Sequence, residues 1–282
     1  MFAKSFLSMS AAVLLSLSSV AYATTELELV ARSDVTFQPL NPLRGDKSPQ
    51  AGVLWGDIKK HAATGTLVQF RDGFSSPPHI HNITYRAVVI SGEVHNDDPD
   101  AADLWMEAGS FWTQPAGETH ITAARGERTT IFLEIMEGPY LVQPSNQAFD
   151  NGERPINISA RNVIWLDPSD VSWIQHPNGA AAPEMSFLWG EPKDGQRNGS
   201  FLRIPAGATG ILESTGDWLK AVVVKGEVAH QETNGGVQTR LDPGSYFGAP
   251  KSTGHDLTCN ALSACVLYVT AKGKFAFTSR QS

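Results

Sequence analysis

Apolar positions in this chain come in short bursts rather than long periodic stretches. "TLVQF", "YRAVVI", "GSFWTQ" and "TTIFLEI" occupy the first half, and "SFLRI", "KAVVV", "GSYFGA" and "CVLYVT" the second, each closed off by Gly, Pro, Asn or Asp. β-branched and aromatic residues dominate them, and no long stretch keeps a helical period. Many short strands separated by frequent turn signals predict an all-β barrel or sandwich in each half.

The two halves are diverged copies of one another. "VLWGDIKKHAATGTLVQFRDG" at Val53 matches "FLWGEPKDGQRNGSFLRIPAG" at Phe187, and "YRAVVISGEV" matches "LKAVVVKGEV", both at an offset of 134. "EAGSFWTQPAGETH" ending at His120 matches "DPGSYFGAPKSTGH" ending at His255 at an offset of 135, and the leaders "DVTFQPL" and "NVIWLDP" also correspond. An internal repeat of this kind predicts two similar units in tandem. We place them at 33–143 and 161–277, with the polar stretch 144–160 as linker.

Residues 1–23 have a single early lysine, Lys4, an apolar stretch from Ala11 to Leu17, and Ala21-Tyr22-Ala23 before Thr24. That pattern predicts a secretory signal cleaved near Ala23, and its apolar run is too short to span a bilayer. Cleavage takes the net charge from −7 to −8, which gives no reason to expect nucleic acid or an anionic membrane as partner. The expected location is secreted or, in a bacterium, periplasmic. An oxidising compartment favours a disulfide between the only two cysteines, Cys259 and Cys265, over two reduced buried thiols.

The candidate chemistry lies in "PPHIHNITYRAVVISGEV". His79 and His81 share a face on a regular strand, joined there by Ile83 and Tyr85. The stretch reads Gly73, five residues, His79-x-His81, three residues, Tyr85, six residues, Gly92; further on come Gly109, five residues, Pro115-x-Gly117, two residues, His120. This spacing resembles the paired motifs of the cupin superfamily, G-x5-H-x-H-x3/4-E-x6-G and G-x5-P-x-G-x2-H-x3-N, and the duplication resembles a bicupin. The departures are Tyr85 at the glutamate position and Ala124 at the asparagine position. The resemblance implies two tandem jelly-roll β-barrels, with His79, His81 and His120 holding one divalent metal ion: Fe(II) or Zn(II) first, Mn(II) or Ni(II) as alternatives.

Three neutral imidazoles leave the ion's charge uncompensated and favour an anionic exogenous ligand. Tyr85 is open to three roles: a phenolate ligand, a hydrogen-bonding residue that orients water or substrate, or an aromatic wall, the last two preferred. Glu93 and Glu134 are weaker substitutes for the missing carboxylate, and Phe111 or Trp112 are candidates for the mouth. In the second copy, alignment through the glycines puts Glu213, Thr215, Leu219 and His255 at the positions of His79, His81, Tyr85 and His120, so that copy reads as a scaffold without its metal. His61, His95, His176 and His230 fall outside the pattern and are expected in loops or on the surface.

All-histidine cupins that bind iron suggest a dioxygenase-like oxidoreductase acting on a small anionic chelating substrate. The alternatives are a non-catalytic zinc or small-molecule binder and, third, a zinc-dependent hydrolase or isomerase. A monomer or a homodimer is expected, because two fused copies can pack as an internal pseudo-dimer.

Overall fold

Along the strand Tyr85–Asp97, Tyr85, Ala87 and Val89 join one apolar cluster while Val88 and Ile90 join another. Both faces of this strand are covered, one by the interior of its own barrel and one by the other half of the molecule. The computed structural model describes residues 28–177, 181–250 and 253–280. Among these are twenty-three strands and four short 3₁₀ turns. The expected signal segment lies outside the described residues.

All eight apolar bursts are strands, and each half closes into a jelly-roll barrel. In the second half, two six-stranded sheets face each other around a core that includes Leu212, Val223, Phe247 and Leu267. In the first half, the long strands Tyr85–Asp97 and Ile121–Ile135 pair antiparallel through a nine-stranded sheet, with register shifts between Arg125 and Ile131. Shifts of that kind bend a sheet and let one strand serve both faces of a barrel. The fold is all-β: two tandem cupin-type jelly-roll barrels.

The barrels pack against each other through a third apolar cluster. Leu67, Val88 and Phe132 of the first half meet Phe201, Val222 and Tyr268 of the second. The repeated "LWG" tryptophans mark this seam. Trp55 lies so close over Gly65 that a Cβ there would stand 2.3 Å from its ring, and Trp189 lies likewise over Gly199, at 1.9 Å. Cations cross the seam in both directions, Arg86 over Trp189 at 3.9 Å and Lys220 over Trp55 at 5.0 Å. Each contact joins opposite copies, as in the self-complementary interface of a two-fold dimer.

The leaders are exchanged in the same way. Glu28–Val30, ahead of the first unit, pairs with Tyr246–Pro250 of the second, and Ile156–Ile158, ahead of the second unit, pairs with Phe111–Gln114 of the first. The 144–160 stretch therefore carries a strand of the first barrel's sheet as well as the 3₁₀ turn Ser145–Gln147. Cys259 and Cys265 form a disulfide across the hairpin between Gly254–Cys259 and Cys265–Lys272.

Candidate metal centre

The short strand His79–His81 is flanked on one side by Val142–Pro144. On the other side it meets His120, where His79 and His120 exchange backbone N–H···O bonds of 3.0 Å in both directions. Gly117, at φ 78°, turns the Pro115-Ala116-Gly117 corner and donates its N–H to His81 O at 2.8 Å. A Cβ at Gly117 would meet the Phe149 carbonyl at 2.3 Å, so close approach and backbone conformation both require glycine. The motif spacing works because these backbone bonds set three imidazoles side by side.

Ligand atoms of His79, His81 and His120 all lie within 4.8 Å of one another. Nδ1 of each ring faces a backbone carbonyl: Pro77 at 2.9 Å, Leu141 at 3.0 Å and Glu118 at 3.1 Å. A carbonyl can only accept, so each Nδ1 carries the proton and each Nε2 presents a lone pair. Outer hydrogen bonds of this kind fix the tautomer of metal-binding histidines. Burial, reinforced by the neighbouring rings, holds His81 well below the usual histidine range and His120 down to about 3, so both are neutral near pH 7. His120 Nε2 is buried without a hydrogen-bond partner. An orphan acceptor beside two converging imidazoles fits a divalent cation, which satisfies all three at once.

Tyr85 is buried beside this cluster, its ring 5.2 Å from that of His81. Its hydroxyl donates to Asn96 Oδ1 at 3.0 Å and accepts from Trp112 Nε1 at 3.4 Å. Asn96 also accepts from Thr122 at 2.8 Å and donates to Gln114 at 2.9 Å. The phenol is thus engaged by a polar network of the barrel interior and by no imidazole. Burial pushes it above the usual tyrosine range, away from a phenolate.

The hydroxyl that does reach the cluster belongs to Tyr140, absent from the sequence motif. Its Oη lies 3.0 Å from His81 Nε2, and its ring stacks on His81 at 4.2 Å between centroids. Asn82 positions it by donating to Pro139 O at 3.0 Å and accepting from Leu141 N at 2.8 Å. The "HIHN" asparagine was the available signal, but its partners lie 57 and 59 residues away.

Several expectations are corrected by strand facing. Trp112 lines the cavity, whereas Phe111 points into the seam. Glu134 also faces the seam, and Glu93 pairs with Arg125 on the outside. In the second copy Glu213 is exposed, and it is Leu212 that pairs with His255, as His79 pairs with His120. The counterparts of His79 and His81 are therefore Leu212 and Ser214, both buried, because the copies differ by one residue ahead of this strand. His230, at 1% exposure, is no surface residue: its Nε2 lies 2.9 Å from His255 Nδ1 inside the second barrel. His95 is buried too, beside the backbone of Leu104.

Above the histidines the first barrel opens a cavity of about 190 Å³. Phe70, Phe74, Ile131, Leu133 and Trp112 make its walls largely apolar, and Arg44, on an exposed 3₁₀ segment, is the charged side chain at its rim. An apolar body with one anionic end suits such a cavity.

Solved structures with this fold include a candidate dioxygenase from Nostoc punctiforme, with a TM-score of 0.64 and 15% identity over 89% of this chain and 84% of that one. Vicilin from hazelnut, Corylus avellana, aligns at 0.53 and 14% identity over 89% and 85% of the two chains. An oxalate decarboxylase variant from Bacillus subtilis aligns at 0.52 and 14% identity over 89% and 79%. At these identities the likeness establishes the cupin fold alone. No curated protein matches the sequence. Residues 28–278 match the family described as a domain of unknown function (DUF4437), and since the match takes in most of the chain, this protein belongs to that family.

Proposed function

We propose that this protein is exported and that His79, His81 and His120 hold one divalent metal ion at which a small anionic, chelating substrate is bound and oxidised in dioxygenase-like fashion. The observation that carries the reading is the convergence of three Nδ1-protonated imidazoles with His120 Nε2 buried and unpartnered. A bound ion supplies a Lewis-acidic centre with its charge uncompensated by carboxylates and, as iron, a redox centre able to work with dioxygen. The chain's own residues do the rest. Arg44 takes a carboxylate at the rim, Tyr140 offers a hydroxyl beside the His81 position, and the apolar walls around Trp112 exclude water. Mn(II) centres are described for the Bacillus subtilis oxalate decarboxylase of this fold, which keeps manganese among the ions to test.

The test is elemental analysis of untagged protein beginning at residue 24, beside a His79→Ala/His120→Ala variant. One equivalent of metal in the wild type and none in the variant supports the centre. Iron with substrate-dependent oxygen uptake, screened with diketones and chelating acids, supports the dioxygenase-like reading. Bound zinc without turnover would favour a non-catalytic binder. No metal after reconstitution with Fe(II), Zn(II), Mn(II) and Ni(II) would overturn the proposal.

A further inference from the structure

A second cavity, of about 180 Å³, opens at the seam between the barrels and shares no lining residue with the histidine cavity. Trp55, Trp218, Glu134, Arg197, Lys220 and Thr270 contribute to its wall. Glu134 is 1% exposed, and the Tyr268 hydroxyl donates to its Oε1 while Oε2 is buried without a partner. A buried carboxyl oxygen left unpaired costs about 1–3 kcal/mol.

The second copy provides an internal control. Glu134 pairs with Gly65 and Arg86, and Thr270 pairs with Gly199 and Lys220, so Thr270 is the counterpart of Glu134 across the pseudo-two-fold. Packing of this seam does not itself demand a carboxyl group. Charge points to the ligand. Lys220 is paired with Glu28. Arg86, the cross-strand neighbour of Glu134, stacks on Trp189 with its Nε buried and unpartnered, and among the described residues Arg197 forms no ion pair. The cavity wall therefore carries Arg197, without an ion pair among the described residues, together with an unfilled carboxyl oxygen and two indoles.

We propose that the seam cavity is a binding site for a small carboxylate, whose oxygens meet Arg197 and the carboxyl of Glu134 and whose apolar body lies against Trp55 and Trp218. Glu134 Oε2 then donates a hydrogen bond to the bound anion, and the orphan atom gains its partner. The groups facing Glu134 from the surrounding strands are Tyr268, Arg86, Arg197 and Lys220. Burial outweighs their effect and raises the acid to about 7, so a proton is available in the neutral range.

Benzoate, with benzamide as its uncharged counterpart, is the probe, titrated by calorimetry and tryptophan fluorescence against metal-free protein. Benzoate should bind about tenfold more tightly at pH 6 than at pH 8, because binding takes up one proton at a group titrating near 7. Glu134→Gln should abolish that pH dependence. Arg197→Met, at an exposed position, should weaken binding at least about tenfold, and Arg44→Met should leave it unchanged. Absence of binding at pH 6, equal affinity for benzamide, pH dependence retained in Glu134→Gln, or loss with Arg44→Met instead of Arg197→Met would each overturn the site.

Discussion

Tyr140 donates its hydroxyl to Nε2 of His81 across 3.0 Å, the same lone pair that a metal ion needs. His81 Nδ1 already holds the ring proton against Leu141 O, so the phenol must be the donor. Metal binding at His81 therefore competes with this bond. Tyr140→Phe removes a hydrogen bond of about 1 kcal/mol, and Zn(II) should bind about fivefold more tightly in a competition titration. Weaker binding would instead make Tyr140 a contributor to the centre.

Tyr85 serves the barrel. Tyr85→Phe removes a hydroxyl held by Asn96 and Trp112 while Asn96 keeps its bond from Thr122. Chemical denaturation should show a loss of about 1–2 kcal/mol with metal content unchanged. Loss of metal without loss of stability would restore Tyr85 as a ligand.

The seam depends on Gly65. A Cβ there would stand 2.3 Å from the Trp55 ring, so Gly65→Ala must displace an indole that also packs, tilted, against Tyr246 at 4.5 Å between centroids. Overpacking of this kind costs about 1–3 kcal/mol, visible as a lower denaturation midpoint. Gly195→Ala, where no atom lies near the added carbon although φ is 76°, reports the backbone cost alone.

Glu134 makes stability pH-dependent. Its acid is raised from 4.5 to about 7 in the folded protein, so its contribution is fully present below pH 4.5 and is lost as pH rises through about 7. Within that window the loss approaches about 1.4 kcal/mol per pH unit. Glu134→Gln should flatten this limb, gaining on the wild type at pH 8 and not at pH 4. Parallel stability curves for the two proteins would refute the assignment.

The Cys259–Cys265 bridge closes a loop of only a few residues. Chain entropy for so short a loop gives about 2 kcal/mol, and Cys259→Ser/Cys265→Ser should lower stability by about that amount in denaturant melts.

Local pattern was enough for the strands, the duplication and the three histidines. Strand signals are carried by contiguous residues, and the spacings Gly73 to Gly92 and Gly109 to His120 encode turns whose backbone bonds are short-range or fall between adjacent strands. Facing was another matter. Phe111 and Trp112 are neighbours in sequence and point into different cores, and a one-residue difference between copies moved the partner of His255 from Glu213 to Leu212. Because side chains alternate along a strand, a single-residue slip reverses every inward and outward assignment. Tyr140 reaches His81, and Glu134 meets Tyr268, across 59 and 134 residues. The sequence by itself therefore determined a duplicated all-β chain with one three-histidine cluster. Only the closing of two barrels and their docking decided which phenol meets the histidines and which carboxyl is left unpaired between them, since both depend on contacts between segments with no local constraint on one another.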